Sequence, residues 1–381
     1  MCEVKKLEKP LYEIIYEKLK SDIISGIYKS GEKIPSEKEL SEMWKVSRIT
    51  PKKSLEKLVS EGLIVRHAGR GSFVAEITDD KVSGDITSNK QNKPNLIGFV
   101  IPNLDSNYGT DLLNSIEEEA ENNNSHIVVK RSLGDPEKEK EAIKKLIEIG
   151  VSGIIIFPAQ AEQYNEEILK LVVNNFPIVL VDRYLKGVPA VSISSDNFMA
   201  AKNATEYLFR LGHDNICLLT SPHYDTTALE ERYEGFIEAH VKNNITIDKS
   251  KLMSDISFPL IDYYTKGDIE KDIRNIRKHL EENPQLTALF ATEYRIALLA
   301  ENAVAQMGLK IPNDISILCF DYTRETVEKD KFTYIKQDQE LMGKMAVQSV
   351  FEMLKGQDQK RETVKLPGEI VEGKSTRRIN Q

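Results

Sequence analysis

"IPSEKELSEMWKVSRITPKKSLEKLVSEGLIVRHAGRGSFVA", residues 34–75, decides how the first part of the chain folds. Ser36 is a favourable helix N-cap, and Glu39, three residues on, completes a capping box. The helix they start is expected to run to about Trp44. Lys45 and Val46 then form a tight turn, and Ser47 opens a second helix within "VSRITPKKSLEKLVSEGLI" (46–64). Two short helices joined by so few residues predict a helix-turn-helix. The tail "GLIVRHAGRGSFVA" alternates strand-like residues around an Ala-Gly-Arg-Gly turn, as a β-hairpin wing would. Upstream, "LYEIIYEKLKSDIISG" (11–26) sets Ile14, Ile15, Leu19 and Ile23 on one helical face, with Gly26 as its stop.

A proline inside a helix normally breaks it, and Pro51 lies near the start of the second helix. Two readings accommodate it. With Ser47 as N-cap, Pro51 is the fourth helical residue and forfeits only the first intrahelical bond. With Thr50 as N-cap, it occupies the favoured first position. Either way Pro51, Leu55 and Leu58 share one side, and Arg48, Lys52, Lys53 and Lys57 the other.

Charge points the same way. The chain carries a net −8, yet residues 1–76 hold 15 Lys and Arg against 12 Asp and Glu. Between Lys45 and Arg70 the balance is 7 basic to 2 acidic. A helix of this kind fits the major groove of duplex DNA, where Arg pairs with guanine O6 and N7. Lys52 and Lys53 suit phosphates, as do backbone N–H groups at a helix start. On the wing, Gly69 and Gly71 allow close backbone approach, and Arg70 or His67 can reach the minor groove. An isolated Lys-rich face is usually just solvated; the capping box, short turn and Gly-Arg-Gly hairpin together argue against that here.

The segment resembles the winged helix-turn-helix of GntR-type transcription regulators over nearly all of residues 10–75. That resemblance implies operator contacts from Lys38, Ser47, Arg48, Thr50, Lys52, Arg70 and Gly71. The family usually has Val-Arg where this chain has Pro51-Lys52, and Ala at Ser54.

Beyond this zone, "ITDDKVSGDITSNKQNKP" (77–94) has no aromatic residue and few apolar ones, and reads as a flexible linker. From Asn95 the texture changes to short apolar runs: "LIGFVI" (96–101), "HIVVK" (126–130), "GIIIF" (153–157), "PIVLV" (177–181), "NICLLT" (215–220), "TALFA" (287–291) and "SILCF" (316–320). Near-continuous apolar runs of this length are the pattern of buried parallel strands. Amphipathic helical stretches lie between them, two ending at Gly150 and Gly308, where a C′ glycine belongs. Strand and helix in alternation predict a doubly wound α/β architecture. Some 280 residues of it exceed what one sheet needs, so two lobes are expected. The expected organisation is therefore an α+β winged helix-turn-helix domain (1–76), a linker (77–94), and an α/β two-lobed effector-binding and dimerisation domain (95–381).

Ligands of open parallel sheets bind beyond the carboxyl ends of the strands. There the sequence offers Asp105, Ser106, Asn107 and Tyr108, then Asp182 and Arg183, then Thr292, Glu293 and Tyr294, then Asp321 and Tyr322, with Arg232 on a separate segment. Carboxylates, Arg and aromatics suit a polyol, whose hydroxyls need hydrogen bonds and whose ring faces pack on aromatics. A single Asp after a strand is more often an N-cap, but four polar strand ends favour a shared pocket. This zone resembles the sugar-binding regulatory domain of lactose-repressor-type regulators, akin to periplasmic sugar-binding proteins. It does so through "IGFVIPNLDSNYGTDLLNSIEEEA", "PIVLVDRY", "SSDNFMAAKNATEYLFRLGHDNICLL", "RYEGFIEAH" and "GLKIPNDISILCFD…TYIKQDQELMGKMAV", spanning about residues 95–350. The resemblance implies pocket roles for Asp182, Arg232, Glu293 and Asp321, with Tyr108, Arg183 and Gln337 beside them. The family usually has Asn-Asp where this chain has Glu293-Tyr294. "YIKQD" would lie at a lobe crossover, making Lys336 and Gln337 hinge candidates.

Three cysteines without a CxxC pair offer no zinc site or disulfide framework, and no metal or cofactor is expected. The N-terminus lacks an apolar signal core, so the chain is expected in the cytoplasm, without membrane association. No GxSxG, P-loop, HExxH or post-strand GxGxxG marks an enzyme. His213 and His223 are the histidines nearest to strand ends, and "RLGHDNI" reads as a helix exit. A GntR-like reader joined to a lactose-repressor-like sensor resembles the arabinose-responsive repressors. It implies a homodimer on a near-palindromic operator, released by arabinose or another monosaccharide. The alternative is an activator, or a regulator whose effector is a nucleobase.

Overall fold

The computed structural model describes residues 10–24, 27–29, 31–60, 63–67, 71–75, 94–104, 107–159, 165–221, 226–257, 266–322, 331–357 and 361–379. The chain divides into two compact units, residues 1–90 and 91–381. Gly26, Gly69, Arg70, Asp105, Ser106, His223 and nearly all of the expected linker lie outside the described residues.

The first unit contains helices α1 (Leu11–Ile24), α2 (Glu37–Trp44) and α3 (Ile49–Ser60), then an antiparallel hairpin, β1 (Ile64–His67) and β2 (Gly71–Val74). Ile15, Leu19, Leu40, Leu55, Leu58, Ile64 and Val74 form one core, drawing a residue or two from every element. The capping box is formed: Glu39 N–H donates to Ser36 Oγ, and the Glu39 carboxylate accepts from Ser36 N–H at 2.7 Å. Lys45 ends α2 in the left-handed region, at φ +52°. The turn is closed by Ser41, whose carbonyl accepts from Val46 N–H and whose Oγ donates to Val46 O.

Neither reading of Pro51 describes α3. The helix begins at Ile49, so Pro51 is its third residue. Thr50 N–H donates to Ser47 O at 3.0 Å, and Lys52 N–H to Arg48 O at 3.2 Å. The Ser47 carbonyl that a residue 51 N–H would have reached is thus already served, and the missing donor leaves no acceptor orphaned. Pro51 itself is buried.

The second unit holds two six-stranded sheets. The first lobe comprises β3 (Asn95–Ile101), β4 (Ser125–Arg131), β5 (Gly153–Ile156), β6 (Ile178–Val181), β7 (Val191–Ser195) and β13 (Thr363–Leu366), in the order β13-β7-β6-β5-β3-β4, all parallel. The second comprises β8 (Ile216–Leu219), β9 (Leu252–Met253), β10 (Ala288–Ala291), β11 (Ser316–Phe320), β12 (Thr333–Lys336) and β14 (Glu369–Val371), in the order β14-β12-β11-β10-β8-β9, with β14 antiparallel. Helices α4 (Asn107–Asn122), α5 (Pro136–Ile149), α6 (Glu166–Val173) and α11 (Gln339–Leu354) flank the first sheet. Helices α7 (Asn197–Arg210), α8 (Thr227–Lys242), α9 (Lys266–Glu282) and α10 (Tyr294–Gln306) flank the second.

Central strands are apolar throughout because both faces are covered. Ile155, Val179 and Val181 pack with α4 and α11, whereas their neighbours Ile154, Ile156, Ile178 and Leu180 pack with α5 and α6. In the second lobe, Cys217, Leu219, Leu289 and Ile317 face α9 and α10, while Ile216, Leu218, Phe290 and Phe320 face α7 and α8. Among the described elements the chain passes between lobes three times: from β7 to α7, from β12 to α11, and from β13 to β14. "YIKQD" lies at the second passage.

Candidate functional site

In the first unit, α3 turns a charged face outward. Arg48, Lys52, Lys53, Glu56 and Lys57 are exposed, while Pro51, Ser54, Leu55 and Leu58 are buried. Ser54 Oγ donates to Tyr12 O at 2.6 Å, tying α3 to α1; this gives the hydroxyl a role where the related family carries Ala. Lys38 on α2 is also exposed, and Ser47 Oγ lies 3.4 Å from Thr50 Oγ1. Ile49, 67% exposed, stands among these polar groups; its apolar side chain drew no attention in sequence. His67 pairs across the hairpin with Gly71 and meets Phe73 edge-on. Gly71 has φ +113°, a conformation that favours glycine; a Cβ there would meet only the flexible end of Lys33, so it is the backbone rather than the space that calls for glycine.

In the second unit, most of the described residues expected at strand ends converge between the lobes, whereas Tyr294 packs into the second lobe's core and meets Phe332 edge-on. The first lobe supplies Tyr108, Asp182 and Arg183; the second supplies Arg232, Glu293 and Asp321, and Gln337 sits where the chain crosses back. Asp182 and Asp321 both have φ +66°, a strained left-handed conformation for a non-glycine residue. Neither is the N-cap of a described helix. α7 is capped instead by Asp196. Glu293 occupies the N-cap position of α10 but makes no side-chain cap bond, so its carboxylate is left for other partners.

Arg232 is the anchor. It is 5% exposed, donates from Nε to Asn197 Oδ1 at 2.8 Å and from Nη1 to Thr292 O at 2.6 Å, and lies 3.7 Å over the Phe320 ring. Asp321 accepts from Gln337 Nε2 at 2.8 Å. Burial pushes the Asp321 carboxyl up to about 6, with Arg232 opposing the rise. Burial also raises the Glu293 carboxyl, again against Arg232. Across the cleft, Tyr108 Oη donates to Asp182 Oδ1 at 2.5 Å. Arg183 Nη1 donates to the carbonyls of Pro158 and Ala159, its guanidinium sits 5.0 Å from the Phe157 ring centroid, and its Nε lies 3.5 Å from Asp182 Oδ2.

Among the described residues, several buried polar atoms here lack a hydrogen-bond partner: Arg183 Nε, Thr220 Oγ1, Thr292 Oγ1 and Gln337 Oε1. Buried polar atoms are rarely left unpaired, and each costs free energy. All four follow strand ends, and together with three carboxylates they form a site rich in unspent donors and acceptors. Of the partners of Arg232, Thr292 was among the strand-end residues expected here, whereas Asn197 and Phe320 were not foreseen. Nothing local marks these two, because they come from different elements.

Beside the cleft the lobes are joined by polar contacts. Glu231, next to Arg232, accepts from Tyr184 Oη at 2.8 Å and from Lys365 Nζ at 2.7 Å, and Glu230 pairs with Lys186. Tyr322 Oη donates to Asp111 Oδ2 at 3.4 Å. His213 is not engaged with the end of α7 through its ring; it is buried beneath the C-terminal segment, its ring against Arg377 O and Thr287 Oγ1.

Residues 11–74 match the gntR family of bacterial regulatory proteins, and residues 205–376 match the periplasmic binding protein-like domain. The chain thus joins a GntR-type DNA-binding domain to a two-lobed periplasmic-binding-protein-like domain. At the level of particular proteins, it is 28% identical to the arabinose metabolism transcriptional repressor of Geobacillus stearothermophilus, over 91% of each chain. A periplasmic binding protein/LacI transcriptional regulator from Alkaliphilus metalliredigens, complexed with D-xylulofuranose, shares the fold with TM-score 0.63 and 22% identity, over 74% of this chain and 98% of that one. The lac repressor dimer bound to operator and an anti-inducer does so with TM-score 0.62 and 23% identity, over 75% and 96%.

Proposed function

We propose that this protein is a sugar-responsive transcriptional repressor. As a homodimer it binds a near-palindromic operator, and it lets go when a monosaccharide such as arabinose fills the cleft between the lobes. The observation that carries this reading is the cleft itself. Arg232 is fixed on Asn197, Thr292 and Phe320 beside three carboxylates, with Arg183 Nε, Thr292 Oγ1 and Gln337 Oε1 buried without a hydrogen-bond partner. A polyol satisfies such a set, since each hydroxyl both donates and accepts. The similarity to an arabinose metabolism repressor, and to a regulator complexed with D-xylulofuranose, supports a sugar.

In this reading Tyr108, Asp182, Arg183, Arg232, Glu293, Asp321 and Gln337 bind the effector. Lys38, Ser47, Arg48, Thr50, Lys52, Lys53, His67, Arg70 and Gly71 bind DNA. Residues 1–76 read the operator, 77–94 link, and 95–381 sense and dimerise. A sugar that bridges the lobes shifts the population toward the closed arrangement, in which the two readers no longer match their half-sites. The protein acts in the bacterial cytoplasm and turns nothing over; among the described residues no helix is long and apolar enough to cross a membrane.

The test is a thermal-shift panel of arabinose, ribose, xylulose, their phosphates and nucleobases, followed by gel-shift assays of DNA release. A sugar is expected to raise the melting temperature and free the DNA. Stabilisation by a nucleobase alone would transfer the site to the other class of effector, and consumption of the sugar would make the protein an enzyme.

A further inference from the structure

We propose that Glu139 is a positioning residue for the effector pocket, setting through the Phe157–Ala159 segment where Arg183 stands. The proposal rests on the reading of the cleft as a sugar site. Glu139 lies on α5, 3% exposed, on a helix whose other buried residues are Ala142, Ile143 and Leu146. A carboxylate among such neighbours is costly to bury and persists only with partners. Its Oε2 accepts the Ala159 N–H at 2.7 Å, and its Oε1 accepts Asn165 Nδ2 at 2.9 Å. Asn165 in turn caps α6, its Oδ1 accepting the Glu167 N–H at 3.0 Å.

One carboxylate therefore grips the chain at two points, Ala159 and Asn165. The first point is the one that matters for the pocket. The Ala159 carbonyl accepts Arg183 Nη1 at 2.9 Å and the Pro158 carbonyl accepts it at 3.2 Å, while Phe157 lies beneath the guanidinium. The Phe157 ring also meets Tyr108 edge-on, and Tyr108 holds Asp182. A displaced Ala159 moves the two carbonyls that orient Arg183, and with them the buried Nε that faces Asp182. The Arg183 charge reaches Glu139 from the far side of this segment and favours its ionised form, though burial raises the carboxyl overall. A glutamine there offers one oxygen and an NH2, so it serves either Ala159 N–H or Asn165 Nδ2 through a separate acceptor atom but not both. Two acceptors aimed at both anchor points require a carboxylate.

The experiment uses the full chain and the sugar that the wild-type protein binds most tightly among arabinose, ribose and xylulose, titrated calorimetrically. Wild type is compared with Glu139→Gln, Arg183→Met and the double variant, with Glu139→Asp as a second probe that keeps the charge but withdraws it by one methylene. Glu139→Gln is expected to weaken sugar binding about tenfold while leaving operator affinity unchanged. The double variant is expected to bind sugar no more weakly than Arg183→Met alone. Glu139→Asp, if Glu139→Gln does not fold, is expected to show the same non-additivity with Arg183→Met. A Glu139→Gln protein that melts earlier but binds sugar as wild type does overturns the proposal, as do additive losses. A wild type that binds no sugar overturns the effector reading and the proposal with it, whereas failure of the variants alone overturns only the role of Glu139.

Discussion

The proposed DNA-reading helix and the interlobe cleft both rely on charged side chains but hold them in opposite ways. At α3 the cations are exposed and only loosely held: Lys52 lies 3.9 Å from Glu56, Lys53 and Lys57 lie 5.9 and 4.2 Å from the ring centroids of Tyr12 and Tyr16, and Arg48 heads the face. In the cleft, Arg232 is buried and locked by two hydrogen bonds and a ring, facing carboxylates whose ionisation burial opposes. Exposed cations keep their hydration until they meet phosphate, so their contribution is non-directional and sensitive to salt. Buried charges have already lost their water, so their worth depends on geometry and on whether every partner is present. A polyanion can be met by the first kind of surface. A small neutral ligand demands the second.

The contrast can be broken at the cleft first, where effects should be largest. Arg232→Ala removes the buried cation that favours the ionised forms of Asp321 and Glu293 and strips Asn197 Oδ1 and Thr292 O of their donor, a cost of roughly 1–3 kcal/mol for each buried acceptor left unsatisfied. It should abolish the sugar response while the folded protein still binds DNA. A variant still released from DNA by sugar would remove Arg232 from the site.

Asp321 gives the next effect, through pH. Burial pushes its carboxyl from the ordinary 3.8 up to about 6, so between those values the folded state holds the proton more tightly. Stability from this group is present below about pH 4 and lost as pH rises through 6. Asp321→Asn should flatten that part of the unfolding profile, by on the order of 2 kcal/mol once screening is allowed for. The ionised form accepts hydroxyl donors better, so sugar affinity should rise through the same interval in the wild type only. An identical pH profile in Asp321→Asn would exclude it as the titrating group.

Smaller effects are expected on the exposed surface. Arg48→Ala should weaken specific operator binding by about 1–3 kcal/mol and leave sugar binding unaltered. Gel shifts showing unchanged affinity would take Arg48 out of the readout. Lys52→Ala should weaken binding nearly uniformly across sequences and lower the salt slope by about 1. A sequence-dependent loss there would mean that Lys52 reads bases rather than phosphate.

The sequence carried much of this because its signals were local. The capping box of Ser36 and Glu39 is a contact between residues three apart. Seven of the strands were visible as apolar runs, six of them because both of their faces are covered; the seventh, β4, is a half-exposed edge strand. The strand-end carboxylates followed from the rule for open parallel sheets. Short strands escaped: Val191–Ser195 alternates Ser with Val and Ile, and Thr363–Leu366 and Glu369–Val371 carry exposed polar residues at their lobes' edges. The position of Pro51 was misjudged because the bond that Thr50 makes to Ser47 cannot be read from periodicity.

The sequence by itself determined the two kinds of fold, the charged face of α3 and the residue types at the strand ends, since each rests on neighbours a few positions apart. Tertiary structure alone decided what those residues touch. Arg232 meets Asn197 thirty-five positions away and Thr292 sixty away, and Glu139 reaches Ala159 twenty away. It also decided that the chain, among its described elements, crosses between lobes three times, returning a C-terminal strand to each sheet. Such contacts depend on how sheets and helices stack, and side-chain periodicity holds no information about partners that only packing brings together.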